Sequence, residues 1–369
     1  MKKILFAITS LTFGGAERVL VDIANKLCDK YEVTIFTIYA QGELEAELDD
    51  RIRLERLIKK SYRQLNIKEK KWKPIQIMLD RKKIYDNIIK DNYDVEIAFL
   101  EGPVTRLLST ENPNTKKIAW VHNDIEKVFG QGLKAKVKRK IDKDIYNKFD
   151  EIVFVSEDNK KSFEKIYDVK AKKRVIYNYI NKDLVIKKSQ EKIDMKFEEG
   201  TLNILCVARL VEQKALDRLI NVHAKLIQNN IKHNIYVIGD GPEKNKLVNL
   251  IDEKNVKDTF HLLGKIDNPY PYIKKADCFA LLSYFEGYPM VLLEAQILEK
   301  FIIITNTAAR ETIKNYRNSK ILDNNEEAVY KGLEDIVKNK NKYLRKKEEK
   351  QKYNNERILN KIINLIEKE

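Results

Sequence analysis

A chain of 369 residues holds two domains at the usual ~150 residues each. With 43% hydrophobic and 34% charged residues, it is excluded from the disordered and fibrous classes. Lys and Arg outnumber Asp and Glu 71 to 56, a net charge of +15, so polyanions are favoured: nucleic acid, anionic headgroups or phosphorylated substrates. Cys28, Cys206 and Cys278 are odd in number and widely separated. They exclude a CxxC metal or redox motif and fit a reducing, cytoplasmic compartment.

Met1-Lys2-Lys3 followed by the apolar run to Phe13 has the outline of a signal peptide. Gly14-Gly15 and an amphipathic helix follow directly, so Ile4–Thr9 reads instead as a buried first strand of a βαβ unit. Ala16, Val19, Leu20, Ile23, Ala24 and Leu27 repeat at helical spacing, and Val33–Tyr39 is the next strand. Residues 56–73 break the pattern with eight Lys/Arg and one Glu among scattered apolar residues. Strands resume at Val95–Leu100, Lys117–Val121, Glu151–Val155 and Arg174–Tyr177, with Ser156 placed to cap a helix.

Residues 181–200 are polar and weakly periodic, and read as a linker. The strand–helix alternation then restarts with Leu202–Ala208. Leu216, Leu219, Ile220, His223, Leu226 and Ile227 form a helix face. Further strands are Asn234–Ile238, Phe260–Leu263, Cys278–Leu282 and Phe301–Thr305. No apolar run reaches the ~18 residues of a membrane span. The expected architecture is α/β: two Rossmann-like doubly wound parallel sheets, residues 1–180 and 201–345. The terminal helix has an apolar face of Ile358, Leu359, Ile362, Ile363 and Ile366, so residues 346–369 are expected to pack back on the first domain.

The richest segment runs from Ser283 through Glu286-Gly287-Tyr288-Pro289-Met290-Val291 to Glu294-Ala295, directly after a buried strand. Gly287 permits a tight turn and Pro289 suits a first helical turn. The helix N-terminus that follows is a natural diphosphate site. This segment resembles glycosyltransferase family 4, retaining enzymes of the GT-B fold, whose E-x7-E signature matches Glu286 and Glu294.

The resemblance extends to other segments. Arg209 and Lys214 match the family's cationic pair for the donor diphosphate, with Ala215 where the family usually has Gly. Gly239 and Gly241 match a G-x-G-P segment near the nucleotide. Gly14 and Gly15 match the glycine loop after the first strand. His122, in Trp120-Val121-His122-Asn123-Asp124, matches a His that contacts the donor sugar.

The resemblance implies retaining transfer of a sugar from a nucleotide donor, UDP-linked, to a glycan or lipid-linked acceptor of bacterial surface polysaccharide. Arg209, Lys214 and the helix tip, with Gly287, Tyr288, Pro289, Met290 and Val291, hold the donor diphosphate. Glu294 takes the ribose hydroxyls, Glu286 the sugar hydroxyls, and His122 orients the same sugar.

Asp142-Lys143-Asp144 is a formal D-x-D inside a Lys-rich helix and reads as solvated surface, so no metal or other cofactor is expected. Residues 127–148 carry eight Lys/Arg against two Asp, with Leu133, Val137, Ile141 and Ile145 every fourth position. This segment and residues 56–73 offer an anionic membrane surface a peripheral contact on the cytoplasmic side. A nucleic-acid-binding protein would also explain the charge, but no RNP aromatics, zinc finger or helix-turn-helix pattern is present. A sugar-nucleotide epimerase or hydrolase on the same fold stays open.

Overall fold

The computed structural model describes residues 1–89, 92–125, 133–344 and 354–368. They group into two units, Met1–Ile180 with Asn354–Glu369, and Asn181–Tyr353.

The first unit is built on seven parallel strands: β1 (Lys3–Ile8), β2 (Glu32–Tyr39), β3 (Arg53–Ile58), β4 (Val95–Ala98), β5 (Lys116–Val121), β6 (Glu151–Phe154) and β7 (Lys172–Val175). Their order is β3-β2-β1-β4-β5-β6-β7. The central strands are almost wholly apolar because helices cover both faces of such a sheet. Helix α1 (Gly15–Leu27) buries Val19, Leu20, Ile23, Ala24 and Leu27. The edge strand β3 escaped the sequence reading: Arg53, Glu55 and Arg56 interrupt its apolar residues, as suits a strand with one unpaired edge.

The segment read as a break is thus the end of β3 followed by helix α2 (Ile67–Leu79). Asn66 and Glu69 form a reciprocal capping box: the Glu69 N–H donates to Asn66 Oδ1 at 2.9 Å and the Asn66 N–H to Glu69 Oε2 at 2.9 Å.

Helix α3 (Leu133–Tyr146) carries the D-x-D. Asp144 is exposed, but Asp142 is buried and pairs with the Arg106 guanidinium at 2.8 Å. The solvated reading of Asp142 is corrected: a cation from the helix Pro103–Leu108 meets it, which sequence spacing does not reveal. Of the apolar series on α3, Ile145 packs inward and Ile141 is exposed. Residues 127–132 and the side chains of 133–138 lie outside the described residues.

The C-terminal helix Asn355–Glu367 belongs to this unit and buries Ile358, Ile362, Leu365 and Ile366. Tyr31 Oη donates to Glu367 Oε1 at 2.7 Å, and Lys116 Nζ donates to the carbonyls of Leu365 and Lys368 at 2.8 and 2.7 Å.

In the second unit six parallel strands, β8 (Leu202–Val207), β9 (His233–Ile238), β10 (Phe260–Gly264), β11 (Cys278–Leu281), β12 (Phe301–Thr305) and β13 (Ser319–Leu322), take the order β10-β9-β8-β11-β12-β13. The stretch 181–200 holds helix α4 (Lys182–Lys188), whose cap is Asn181 and whose Val185 is buried. It groups with the second unit, and Asn268 Nδ2 donates to the Lys188 carbonyl at 2.9 Å.

Helix α5 (Leu216–Gln228) turns His223 inward, where its ring nitrogens lie 2.9 Å from His233 Nε2 and 2.8 Å from Thr259 Oγ1. All three cysteines are buried free thiols. Among the described residues no helix is long and apolar enough to cross a membrane, and no group of three His, Cys, Asp or Glu is placed to hold a metal ion.

Candidate functional site

In each unit the strand order reverses beside the first strand, between β1 and β4 and between β8 and β11. At such a switch point the loops leaving the two strands diverge to opposite faces and open a crevice at their carboxyl ends. In the second unit those loops are Ala208–Ala215, after β8, and Leu282–Pro289, after β11. They carry Arg209, Lys214 and Glu286.

The first loop is held by close backbone contact with the turn after β9. The Leu210 N–H donates to the Asp240 carbonyl at 3.0 Å, and the Glu243 N–H to the Leu210 carbonyl at 3.1 Å. A methyl group on Gly239 would stand 1.9 Å from the Ala208 carbonyl oxygen, and one on Gly241 2.4 Å from that of Leu210. No side chain fits there, so both glycines shape the loop. The loop ends in a single 3-10 turn, Glu212–Lys214, and then Ala215 in the left-handed region at φ 51°. That conformation favours glycine, which gives the departure at Ala215 a physical meaning.

The second loop meets the first at one polar junction. Glu286 is buried, and Oε1 accepts from Lys214 Nζ at 2.6 Å and from Ser283 Oγ at 2.6 Å. Thr305 Oγ1 donates to the Ser283 carbonyl at 2.6 Å and anchors the turn on β12. Gln213 Nε2 donates to the Phe285 carbonyl at 2.9 Å, while the Tyr284 N–H donates to the Gln213 carbonyl at 2.9 Å.

On the far side of the turn, Arg218 is buried and donates to the Leu282 carbonyl at 2.5 Å. Its guanidinium lies 4.6 Å from the Tyr284 ring centroid and donates to Asn324 Oδ1 at 2.9 Å. Asn324 in turn donates to the Tyr284 carbonyl at 2.7 Å. Burial pushes the Arg218 pKa below its ordinary value, and the arginine still keeps its proton.

Helix α6 (Met290–Ile297) begins from Pro289 as its N-cap. Tyr288 and Met290 are buried, Gly287 and Val291 half-buried, so this turn can offer a ligand peptide N–H groups more readily than the side chains of Tyr288 and Met290. Glu294, half-buried, accepts from Tyr270 Oη at 3.4 Å. Arg209 is exposed.

Sequence reasoning thus found the two charges of the junction and missed their supports, Ser283, Gln213, Arg218 and Asn324. Ser283 opens the motif segment itself and Gln213 stands beside Lys214, so a supporting role for both could have been suspected. Nothing in one dimension links Arg218 to Asn324.

In the first unit, Gly14 is the extended N-cap of α1, and Gly14 and Gly15 are exposed. The neighbouring Arg18 is committed to Glu47 through two hydrogen bonds of 2.5 and 2.9 Å. His122 follows β5. Its N–H donates to Glu101 Oε2 at 3.0 Å, and its carbonyl accepts from Asn159 Nδ2 at 3.2 Å. The ring packs on Phe99 at 4.8 Å and Trp120 at 6.4 Å between centroids. Burial pushes the imidazole pKa down to about 3, and the ring is neutral at physiological pH. Its Nε2 is buried without a hydrogen-bond partner. A polar atom so buried is costly unless a ligand completes it.

Comparison with known proteins matches the chain in two halves. Residues 187–357 fit the model of glycosyl transferases group 1, and residues 13–184 that of glycosyltransferase family 4. A Campylobacter jejuni relative, N-acetylgalactosamine-N,N'-diacetylbacillosaminyl-diphospho-undecaprenol 4-alpha-N-acetylgalactosaminyltransferase, is 27% identical over 91% of this chain and 90% of its own length. An uncharacterized glycosyltransferase of Methanocaldococcus jannaschii is 27% identical, the match spanning 62% of this chain and 58% of that relative. Among solved structures, the Anabaena protein HepE, in complex with UDP and glucose, superposes with a TM-score of 0.76 at 16% identity, covering 99% of both chains.

Two parallel-sheet Rossmann-like units, each matched by a glycosyltransferase family model, make this a GT-B glycosyltransferase, and the protein is a transferase. Within that class, the chain belongs to glycosyltransferase family 4.

Proposed function

We propose that the second unit binds a nucleotide sugar, UDP-linked, through its diphosphate, and that the enzyme transfers the sugar with retention of anomeric configuration. The acceptor is a glycan or lipid-linked glycan of bacterial surface polysaccharide. The observation that carries the reading is the Lys214–Glu286 junction at the switch point, with exposed Arg209 on the same loop and the N-terminus of α6 following Glu286.

The departing nucleoside diphosphate gains negative charge in the transition state. Arg209, Lys214 and the first-turn N–H groups of α6 supply preorganised positive charge and donors for it. Arg209 offers a planar fork for phosphate oxygens. The Glu286 carboxylate, fixed through Oε1, holds hydroxyls of the transferred sugar, and Glu294 those of the ribose. His122 of the first unit is held neutral by burial, so through Nε2 it offers a ligand a hydrogen bond and no charge. Leaving-group departure is served without a metal ion or other cofactor. The lipid-linked acceptor draws on the Campylobacter relative, whose own acceptor is undecaprenol-linked.

A thermal-shift screen of UDP-, GDP- and ADP-sugars tests the donor. A specific ligand at a hundred times its Kd stabilises the fold by about 2.7 kcal/mol. The reading requires one nucleotide class to raise the melting temperature and an Arg209→Ala, Lys214→Ala variant to abolish the rise. Anomeric configuration, read by NMR on the product, tests retention. No shift with any sugar nucleotide would overturn the proposal.

A further inference from the structure

His122 is the first residue past β5, so its peptide has left the sheet ladder and needs other partners. Two side chains supply them. Glu101 Oε2 accepts from the His122 N–H at 3.0 Å, and Asn159 Nδ2 donates to the His122 carbonyl at 3.2 Å. The other oxygen, Glu101 Oε1, accepts from Asn123 Nδ2. One carboxylate thus bridges two consecutive residues of the turn after β5, which takes two acceptor atoms on one side chain. Its charge strengthens both bonds. The His122 ring packs on Phe99, two residues before Glu101. The segment leaving β4 therefore grips His122 by its ring and by its peptide.

Glu101 also has a counterpart in the second unit. β4 and β11 stand across the switch point from β1 and β8. The segments leaving them read Glu101-Gly102-Pro103 and Glu286-Gly287-Tyr288-Pro289, and each opens a helix. Both acids lie at the carboxyl end of a sheet, where α/β units bind ligands. Each bridges groups of its own unit: Glu286 takes Lys214 and Ser283, and half-buried Glu101 takes His122 and Asn123.

We infer that Glu101 is a positioning residue, which fixes the His122 imidazole where its unpartnered Nε2 meets a ligand. It acts through His122 and does not touch the reacting atoms. The inference rests on the reading of His122 as a ligand contact.

The test has one arm without ligand and one with activity. The chain has four histidines, and H122A identifies the imidazole signal of His122 in the NMR spectrum of the 15N-histidine-labelled, full-length protein. Without sugar nucleotide, that signal is expected to be displaced or split in E101A and unchanged in E101Q. Glutamine keeps an acceptor for the His122 N–H, and its amide donates to Asn123 once that side chain turns over. E101D keeps the charge but draws it back by one methylene, and displaces the signal as E101A does. It serves in place of E101A should that variant fold poorly.

In the transfer assay E101A lowers kcat/KM by roughly ten- to a hundredfold and E101Q restores most of it. In an H122A background, E101A adds no further loss, because a residue acting only through His122 has nothing left to position. A His122 signal unmoved in E101A overturns the inference. So do losses that add in the double variant, and an E101Q as impaired as E101A, which would place the carboxylate charge directly on a ligand. Failure of the donor reading shows elsewhere, as a wild-type melting temperature that no sugar nucleotide raises, and leaves the NMR comparison decisive for Glu101.

Discussion

Lys214 Nζ lies 2.6 Å from Glu286 Oε1, although 72 residues separate them. The two side chains are 13% and 6% exposed, so each is the other's principal neutralising group. Losing one partner of a buried pair leaves a desolvated charge and costs more than the pair's net worth. Lys214→Ala and Glu286→Gln are each expected to lower kcat/KM by roughly a hundredfold or more. The double variant should lose far less than the product of the two, as a coupled unit does. Kinetics of the four proteins check this, and additive losses would show that the pair does not act together.

Gln213 ties the turn that carries Glu286 to the turn that carries Lys214. Gln213→Ala removes one hydrogen bond worth about 1 kcal/mol and leaves the Tyr284 backbone bond in place. A tenfold loss in kcat with a melting temperature lowered by only a few degrees is expected. A drop in stability with unchanged kcat would make Gln213 a purely structural residue.

Ala215 holds a positive φ and is fully buried. Ala215→Gly relieves left-handed strain of about 1–2 kcal/mol, offset by the loss of a buried methyl and by greater freedom of the unfolded chain. The result is near neutral, within about 1 kcal/mol. Ala215→Val combines a branched side chain at positive φ with overpacking, and costs about 2 kcal/mol or more. Urea unfolding of both proteins separates them; equal destabilisation would contradict the backbone argument.

Burial pushes His122 to about 3 and His223 to about 2, and lowers His233 as well. The unfolded chain binds these protons near pH 6.5, whereas the native state binds those of His122 and His223 only far lower and that of His233 below its ordinary value. Stability from these groups is full above about pH 6.5 and falls as pH drops through the window below it, by up to ~1.4 kcal/mol per pH unit for each. Denaturant unfolding at neutral and mildly acidic pH measures the slope. A flat profile between about pH 7 and 5 would mean that the three imidazoles are not held neutral.

The C-terminal helix buries Ile358, Ile362, Leu365 and Ile366 against the first unit, each worth about 1.5–3 kcal/mol. Ending the chain at Tyr353 exposes their partners and is expected to unfold the first unit well before the second in a thermal scan. A single unshifted transition would show that the helix is dispensable.

The central strands and the motif loops were readable because each is a local matter. A buried parallel strand must be apolar along its length, and a strand-to-helix turn at a switch point needs glycine, proline or a capping residue. The edge strands β3 and β13 hid because one open side lets charged residues interrupt the apolar run. Helix α2 hid behind its lysines, although Asn66 and Glu69 stood at capping-box spacing.

By itself the sequence determined two α/β units, the glycine loops, and the pair of acids beside Pro289. Only the tertiary structure decided which charges are buried and with whom: Asp142 with Arg106, Glu286 with Lys214, Arg218 with the turn after β11. The reason is physical. A charge is tolerated in the interior only where a partner meets it, and that partner comes from a distant part of the chain, brought near by the packing of the sheet.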